Sequence, residues 1–445
     1  MTVGLVSLGC AKNTVDLQVM AGHLVKAGHS LAPDPDHADA VIVNTCAFIE
    51  SAREEAVSEI LRACELKRAG AVKIVAVSGC FPQRYPGKCE ELFPDVDVFL
   101  GVDTIDRVVA ALEKALVGKK VAFQCNADPR RVFDPPVPGL RLTGRAFAYL
   151  KIAEGCAHRC AYCAIPGIRG KYRSRAPEAI LSEAASLLES GVRELNVIAQ
   201  DPMLYGVDLP MRGGARRDLV WLLRELDSLK GDFWVRVLYS YPSEITDDFL
   251  EWMRTSPHAA KYVDVPVQHT DPAVLKAMAR GSAVKATLEA AERIRAAVPG
   301  VTLRTTVMTG FPGETERRFA RLLDDVRRMR FDHLGAFAFS PEEGTPAANM
   351  KGRPSAATAA IREREVMKVQ KKVWDAKAKA MVGGKFKALV VAPGVARMES
   401  QAPDVDGVTR FSAARGRAKP EVGEFVTLLI TKVVGYDFEG KVVAK

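Results

Sequence analysis

The run Glu-Gly-Cys-Ala-His-Arg-Cys-Ala-Tyr-Cys, residues 154–163, places three cysteines on one short loop, at Cys156, Cys160 and Cys163. We call these three cysteines the loop triad. The spacing CxxxCxxC supplies three thiolates and no fourth, whereas a closed structural zinc site takes four protein ligands. Iron–sulfur clusters are held by cysteine sulfur, and three ligands on a four-iron cube leave one iron free to bind another molecule. We therefore predict an iron–sulfur cluster with an open coordination position.

A zinc site is the alternative interpretation of the same loop. Its fourth ligand would be His158 or a residue elsewhere in the chain. His158 lies two residues from Cys156 and two residues from Cys160, which is too close along the chain to complete the same tetrahedron comfortably. The spacing therefore favours the cluster.

Three further cysteines follow predicted strands in the N-terminal part of the chain. Short buried strands are predicted at residues 3–8, 40–44 and 73–78. Helical patterns follow them at residues 13–27, 51–68 and 82–92, and strands that alternate with helices form a parallel sheet. The strands run into Cys10, Cys46 and Cys80, which we call the strand-end triad. Because ligands bind at the carboxyl ends of such strands, we predict a second cluster site there; buried cysteines without a ligand are the alternative.

A second series of strand and helix patterns occupies residues 145–374, after a Pro-rich linker at residues 118–144. Six strands are predicted in it, at residues 148–153, 194–199, 234–240, 262–267, 302–308 and 334–339. Six βα units make an incomplete version of the eightfold barrel, which holds its chemistry at the carboxyl ends of its strands. The loop triad follows the first strand, as that rule requires. The middle of the chain is therefore predicted to be a partial (β/α)6 barrel of the TIM type.

The pattern changes again in residues 375–445. Four short β-rich runs are predicted there, at residues 385–391, 394–399, 424–434 and 436–443. Separated by Gly, Pro and Asp, they indicate a small β-barrel or sandwich. RNA-binding surfaces are strongly basic and rich in exposed aromatic side chains, whereas this module is weakly basic. We therefore expect it to bind a protein segment. The chain as a whole is predicted to be α/β, with its N-terminal domain at residues 1–117.

Composition limits the class of protein. The length of 445 residues leaves room for two or three domains, and 48% hydrophobic with 26% charged residues is typical of soluble globular proteins. No apolar run is long enough to span a bilayer, and a signal peptide is not recognisable, so we expect a cytoplasmic protein. In that compartment nine cysteines favour metal or redox chemistry over disulfides. The net charge of +9 suits a nucleic acid or ribosomal partner but decides little.

The CxxxCxxC loop resembles the cluster-binding motif of radical S-adenosylmethionine (SAM) enzymes, whose fold is also a six-unit partial barrel. The resemblance implies that the open iron chelates SAM. The order of the three parts resembles the radical SAM methylthiotransferases, which end in a TRAM domain. Three motifs carry this second resemblance: Ser-Leu-Gly-Cys-Ala-Lys-Asn at residues 7–13, Val-Asn-Thr-Cys-Ala-Phe-Ile at 43–49, and Ser-Gly-Cys-Phe-Pro-Gln-Arg-Tyr at 78–85. It implies that the strand-end triad holds an auxiliary cluster, so that the cofactors are two 4Fe-4S clusters and SAM.

The motif at residues 9–13 also bears on the substrate. The tRNA-modifying members of the family usually have Gly-Cys-Gln-Met-Asn or Gly-Cys-Lys-Val-Asn there. This chain has Gly-Cys-Ala-Lys-Asn, which is close to the Gly-Cys-Pro-Lys-Asn of the ribosomal-protein branch, although Ala11 replaces the common Pro. The resemblance implies methylthiolation at the β-carbon of one aspartate in small-subunit ribosomal protein uS12.

The implied chemistry is carried by the clusters and SAM, so no side chain is assigned a catalytic role. One cluster would cleave SAM to a radical that takes hydrogen from the target carbon, and the other would present sulfur; a second SAM donates the methyl group. Tyr162 and Glu314 are predicted to bind SAM, with packing and a helix N-terminal acid as their alternatives. The expected partners of a monomeric protein are uS12 or the small ribosomal subunit, an electron donor such as flavodoxin or ferredoxin, and no membrane.

Two other functions remain open at this point. A tRNA adenosine methylthiotransferase would use the same clusters and the same C-terminal module, and only the branch motifs argue against it. A non-catalytic RNA-binding or ribosome-binding protein with structural zinc sites is the second, and iron and sulfide analysis would separate it from a cluster enzyme. The remaining cysteines, Cys64, Cys89 and Cys125, are predicted to have no ligand role.

Overall fold

The computed structural model describes residues 1–121, 128–137, 139–211, 213–412 and 419–443. Within these ranges the chain forms an N-terminal parallel sheet, a central partial barrel and a closed C-terminal barrel. The predicted three-part α/β architecture is therefore confirmed. Among the helices of the described ranges, none has the length and apolar character needed to cross a membrane.

The N-terminal sheet has five parallel strands in the order β2-β1-β3-β4-β5. Its strands are β1 Thr2–Ser7, β2 Ser30–Leu31, β3 Ala40–Thr45, β4 Ile74–Gly79 and β5 Val98–Leu100. Its helices are α1 Ala11–Lys26, α2 Glu50–Arg68, α3 Cys80–Arg84, α4 Cys89–Leu92 and α5 Val108–Leu116. Helices cover both faces, so β3 and β4 are buried along their whole length. The three predicted strands are therefore the three central ones.

The sequence missed the two edge strands of this sheet. β2 has two residues and β5 has three, which is too short for a periodic pattern to be visible. The helix predicted over residues 82–92 is in fact two short helices, α3 and α4. Pro86 and Gly87 interrupt it, and Gly87 adopts a φ of +77° that favours glycine.

The central part contains six parallel strands in chain order. The barrel strands are β6 Phe147–Lys151, β9 Glu194–Ile198, β10 Trp234–Val237, β11 Tyr262–Asp264, β12 Thr302–Thr309 and β13 His333–Ala338; β7 Ala153–Glu154 and β8 Arg173–Ser174 form a short antiparallel pair. Two hydrogen-bonded groups, β6-β9-β10 and β11-β12-β13, are joined by backbone hydrogen bonds from Ala260 to Val235 (2.9 Å) and from Ser240 to Asp264 (2.8 Å). All six predicted barrel strands are present.

Helices lie on the outer face of this partial barrel and in the loops that connect its strands. They are α6 Ile165–Arg169, α7 Pro177–Glu189, α8 Leu219–Asp227, α9 Asp247–Thr255, α10 Pro272–Ala277, α11 Val284–Ala297, α12 Glu316–Met329 and α13 Ala356–Met381. Apolar side chains of the strands pack against α7, α8, α9, α11, α12 and α13 in one large core. Helix α6 packs instead in a core of the N-terminal domain through Ile168, and α10 packs in a separate apolar group through Val274 and Leu275. A separate group of side chains, which includes Tyr149, Leu238 and Tyr262, packs together with residues of other parts of the chain.

The C-terminal module is a closed barrel of five strands in the order β14-β15-β16-β18-β17. The strands are β14 Lys385–Ala392, β15 Val395–Met398, β16 Thr409–Ser412, β17 Phe425–Val434 and β18 Asp437–Val443. Four of them were predicted; β16 was missed because its four residues show no alternation. Helix α13 is continuous across the boundary predicted after Trp374, and Trp374 packs in the core of the C-terminal barrel.

A loop of the C-terminal module packs against the inward-facing side chains of the partial barrel. We call residues 399–406, between β15 and β16, the C-terminal loop. The Tyr149 hydroxyl donates a hydrogen bond to Asp404 (2.5 Å), and the Tyr262 hydroxyl donates one to Asp406 (2.7 Å). Ala402 packs in the same apolar group as Val15 of α1. The N-terminal and C-terminal parts therefore both contribute to the interior of the partial barrel.

Candidate active site

The strand-end triad lies on three neighbouring strands. Cys10 follows β1, Cys46 follows β3 and Cys80 follows β4, and β3 lies between the other two strands. Cys46 and Cys80 are buried, whereas Cys10 is exposed. The structure thus brings these three cysteines to one edge of the sheet, although they are far apart in the sequence. Their role as cluster ligands remains a prediction.

Close backbone contacts surround this triad and require glycine at two positions. Gly9 has a φ of +89°, and a Cβ atom there would lie 2.6 Å from Cβ of Cys46. Gly79 has a φ of +95°, and a Cβ atom there would lie 2.6 Å from Oδ1 of Asn44. Both values of φ are in the left-handed region, where glycine alone is free of steric cost. Glycine is therefore needed before Cys10 and before Cys80, because the chain turns tightly at both positions.

Two side chains connect the strand-end triad with the barrel. Asn13 donates to the carbonyl oxygen of Thr45 (2.9 Å), and its Oδ1 accepts from Nη2 of Arg169 (2.6 Å). The same Nη2 lies 3.5 Å from Sγ of Cys80. Burial raises the pKa of the Cys80 thiol, and the Arg169 charge offsets part of that increase. The barrel thus supplies a cation that favours a thiolate at Cys80, a role that the sequence did not reveal.

A buried network of charges holds Arg169. Its Nη1 lies 2.7 Å from Asp16 and 3.0 Å from Glu154, and Nζ of Lys151 lies 2.5 Å from Asp16 and 2.9 Å from Glu154. Gln200 donates to the other oxygen of Glu154 (2.8 Å). Burial opposes ionisation of Glu154, but the two cations outweigh it and hold the pKa of this carboxyl well below its usual range. Because Asp16 belongs to α1, the network joins the N-terminal domain to the barrel.

The loop triad lies between β7 and α6, beyond the carboxyl end of the first barrel strand. Its three cysteines are half-buried. Burial raises the pKa of the Cys156 thiol to about 11 and that of the Cys163 thiol to about 12, and neighbouring cysteines of the triad contribute to both increases. Nη1 of Arg280 lies 3.8 Å from Sγ of Cys160. The three sulfurs are thus close enough to interact electrostatically, and metal binding would displace their protons.

The surroundings of the loop triad fit a cluster better than a single zinc ion. His158 donates or accepts a hydrogen bond with Asp201 (2.6 Å) and stacks on Tyr241 with 3.8 Å between ring centroids, so other partners occupy it. Within the described ranges, no three His, Cys, Asp or Glu side chains meet closely enough to hold one ion. A four-iron cube attaches each cysteine to a different iron, so the sulfurs of a triad need not meet at one point.

Buried polar atoms without hydrogen-bond partners gather at the carboxyl ends of the barrel strands. They follow β9, β10, β11 and β12, and they are Oε1 of Gln200, Oγ of Ser240, Oε1 of Gln268, Nε2 of His269, Oγ1 of Thr270 and Oε1 of Glu314. Buried polar groups are normally paired, so this concentration indicates a site for a polar ligand. The amino, carboxylate, ribose and adenine groups of SAM supply donors and acceptors of the kind that these atoms lack.

The two residues that were predicted to bind SAM lie at this mouth. The ring of Tyr162 packs edge-on against Phe311, with 6.4 Å between centroids, and lines a cavity of about 360 Å³. One carboxylate oxygen of Glu314 accepts a hydrogen bond from the backbone N–H of Gly310, and the other lies 3.8 Å from Nε2 of His269. One carboxylate oxygen of Glu314 is therefore hydrogen-bonded to the backbone, and the other has no hydrogen-bond partner among the residues that the structure describes. Contact of Tyr162 and Glu314 with SAM stays a prediction.

Two of the three remaining cysteines lie in helices of the N-terminal domain. Cys64 lies in α2 and Cys89 begins α4, and both are buried in an apolar core of the N-terminal domain. Cys125 lies outside the described residues. The sequence also did not identify Arg280, whose guanidinium covers the ring of Tyr241 at 4.1 Å while it approaches the loop triad.

Three family models match the chain in the order of its three parts. Uncharacterized protein family UPF0004 matches residues 2–101, the Radical SAM superfamily matches residues 150–326, and the TRAM domain matches residues 382–443.

Curated relatives match along the whole chain. A protein of Solibacter usitatus is 39% identical over 100% of this chain and 95% of its own length. A protein of Geobacter sulfurreducens is 39% identical over 99% of this chain and 98% of its own length. A protein of Syntrophus aciditrophicus is 40% identical over 100% of this chain and 98% of its own length. All three are named ribosomal protein uS12 methylthiotransferase RimO. The chain belongs to the RimO family. It is a radical SAM methylthiotransferase, and enzymes of this family use SAM and two 4Fe-4S clusters as cofactors.

Solved structures of other radical SAM enzymes share the fold. The methyltransferase TsrM from Kitasatospora setae, with cobalamin and a 4Fe-4S cluster bound, has a TM-score of 0.55 at 14% identity and covers 88% of this chain and 76% of its own. The cobalamin-dependent enzyme OxsB, with SAM bound, has a TM-score of 0.53 at 15% identity and covers 82% of this chain and 56% of its own. At such identities the likeness to this RimO family member is one of fold alone.

Proposed function

We propose that this protein methylthiolates the β-carbon of one aspartate residue in small-subunit ribosomal protein uS12. The observation that carries the proposal is the position of Arg169. It follows the loop triad on α6, and its guanidinium contacts Cys80 of the strand-end triad. The helix that follows the loop triad thus contacts the strand-end triad through a buried side chain, and this connection between the two triads supports a radical step followed by sulfur transfer.

The cysteines and the cations near them would hold the cofactors. The loop triad would hold the cluster that binds SAM, and the strand-end triad would hold the cluster that presents sulfur. When bound, these groups supply the radical, the sulfur and the methyl group. Arg169 and Arg280 place positive charge beside one sulfur of each triad, at 3.5 Å from Cys80 and 3.8 Å from Cys160. The Arg169 charge offsets part of the increase that burial causes in the pKa of Cys80, and so favours the thiolate there.

The barrel mouth would bind SAM. Its unpaired polar atoms lie on turns that follow four successive barrel strands, so they surround the ligand from several sides. We assign the unpaired oxygen of Glu314 and the loop around Tyr162 to this site.

Partners of the reaction follow from its chemistry. We propose that the substrate is uS12, either free or in the small ribosomal subunit. We also propose that the protein is cytoplasmic and monomeric. Radical SAM chemistry needs a reductant, and we propose an acidic electron-transfer protein such as flavodoxin or ferredoxin. A groove of about 420 Å³ beside Cys160 and Cys163 is lined by Arg84 and Arg159 as well as by Glu343. Arg159 is exposed, so its charge is available to an acidic partner.

Mass spectrometry of uS12 tests the proposed function. The anaerobically reconstituted protein is incubated with SAM, a sulfide source, a chemical reductant and recombinant uS12, and tRNA is offered in a parallel reaction. We expect one methylthio group in place of one hydrogen on a single aspartate of uS12, and no modification of a uS12 variant in which that aspartate is alanine. Methylthiolation of a tRNA adenosine with unmodified uS12 would overturn the proposal.

A further inference from the structure

Lys12 places a positive charge inside the protein, next to the strand-end triad. It is the second residue of α1, two positions after Cys10, and only 7% of it is exposed. Its Nζ lies 3.0 Å from the ring centroid of Tyr239, in a cation–π contact. Within the described ranges this ammonium has no hydrogen bond and no ion pair. An ammonium group that is removed from water without an anion is costly, so its position calls for an anionic partner.

The other buried charges nearby already have their partners. Glu154 and Asp16 are paired with Lys151 and Arg169, as described above. Those four charged side chains satisfy one another and leave no carboxylate for Lys12.

Asp264 is the remaining acid in the neighbourhood of Lys12. It ends β11 and forms no ion pair with Lys12 within the described ranges. One of its oxygens accepts from the backbone N–H of Tyr239 (3.1 Å), and the other lies 3.9 Å from Nε of Arg304. Asp264 is thus hydrogen-bonded to a backbone turn through one oxygen, while its other oxygen has no hydrogen-bond partner and lies at the limit of ion-pair distance from an arginine that pairs with Asp406. Among the residues that the structure describes, it makes no ion pair with Lys12.

The turn at Tyr239 has an unusual backbone conformation. Tyr239 has a φ of +72°, in the left-handed region that bulky residues rarely adopt. The hydrogen bond to Asp264 holds this conformation, and the ring then lies against the Lys12 ammonium. Strain of this kind persists where the surrounding structure enforces it, and here it positions an aromatic face against a cation at the end of β10.

We propose that Lys12 binds the side-chain carboxylate of the aspartate that is modified, while Tyr239 supports its ammonium. The inference rests on the proposed function, because a carboxylate is present in an aspartate substrate and absent from an adenosine. The carboxylate carbon is bonded directly to the reacting β-carbon. An ion pair with Lys12 therefore holds that carbon close to Cys10 and the sulfur-presenting site. Lys12 is thus a substrate-binding residue that selects aspartate over its uncharged analogues.

A simpler role for Lys12 must be distinguished from substrate binding by the test. The lysine would then only balance the negative charge of a cluster on the strand-end triad. In that case its removal changes cluster retention but leaves the preference of the enzyme for aspartate over asparagine unaltered. The ratio of the two peptide affinities is therefore the quantity to measure.

Fluorescence anisotropy with labelled uS12 peptides measures this ratio. One peptide carries the target aspartate and the other carries asparagine at that position, and each is titrated with the reconstituted enzyme in the presence of SAM. We expect the wild-type protein to bind the aspartate peptide about tenfold more tightly or better, since hydrogen bonds to charged groups in buried sites are the strong ones. Lys12→Met should bring the ratio close to one. Lys26→Met, an exposed lysine on the same helix, should keep the wild-type ratio.

Three results would overturn the inference: equal affinities of the wild-type protein for the two peptides, a Lys12→Met variant that keeps the tenfold preference, or a Lys12→Gln variant that keeps it. Iron content is measured for each variant, and Lys12→Gln replaces Lys12→Met if the latter loses its iron. Failure of the proposed function is recognised separately, because the wild-type protein would then leave uS12 unmodified. A wild-type protein that modifies uS12 but shows no preference that depends on Lys12 refutes the role of Lys12 alone.

Discussion

Replacement of Asp406 by asparagine should release the C-terminal loop from the partial barrel. The Asp406 side chain is 1% exposed and pairs with Nη1 of Arg304 at 2.7 Å. It also accepts hydrogen bonds from the Tyr262 hydroxyl (2.7 Å) and from the backbone N–H of Ala402 (2.9 Å). Asparagine keeps the shape and one acceptor oxygen, but it removes the charge opposite Arg304.

The expected change in the free energy of loop opening depends on the interactions that Arg304 retains in the variant. Breaking a buried ion pair by removing one partner costs about 3–5 kcal/mol. Asp264 remains 3.9 Å from Nε of Arg304 and offsets part of the loss. We therefore expect the free energy of local loop opening to fall by about 3 kcal/mol relative to the wild type, which is the lower end of that range. Since every 1.4 kcal/mol is tenfold, the opening constant should rise by about 100-fold.

Hydrogen exchange measured by mass spectrometry reports this local opening. A global unfolding free energy is not well defined for a chain of several parts, whereas amide exchange resolves the loop itself. Peptides that contain Ala402 should lose protection in Asp406→Asn. Val405→Ala, at a neighbouring residue that is 48% exposed, and Glu439→Gln, an exposed charge on the same module, should exchange like the wild type. Exchange within about threefold of the wild type in Asp406→Asn would refute the reasoning, because it would mean that the buried pair does not hold the loop.

The remaining predictions concern the two triads. Replacement of the loop triad by alanines should reduce the iron content from about eight to about four per chain, and an unchanged iron content would contradict the assignment. Replacement of the strand-end triad should abolish methylthiolated peptide while 5′-deoxyadenosine is still detected; product at the wild-type rate would make that triad structural. Gly9→Ala should lower the iron content of the strand-end site, because the new Cβ would meet Cβ of Cys46 at 2.6 Å. Gly28→Ala is its matched control, with a φ of +84° but no atom within 4 Å, and equal iron content in both variants would show that the close contact is unimportant.

Local patterns in the sequence determined the two triads and most of the fold. Three cysteines within eight residues must share a loop, so the spacing alone predicted that the loop triad would gather at one place. The strand-end triad needed one more rule, that the carboxyl ends of parallel strands meet at one edge, and hydrophobic runs long enough to show that β1, β3 and β4 are buried. Strands of two to four residues, such as β2, β5 and β16, carry too little pattern to be seen.

Tertiary structure alone decided how the charged residues are paired. Periodicity predicts which positions of a strand or helix are buried, but it contains no information about the partner of a buried charge. Arg169 and Asn13 are 156 residues apart in the sequence, and Tyr149 and Asp404 are 255 apart. Such pairs form only when three separately predicted parts pack against one another. For the same reason the unpaired ammonium of Lys12 became visible only in the folded chain, where a hydrophilic position on a helix lies buried against the ring of Tyr239.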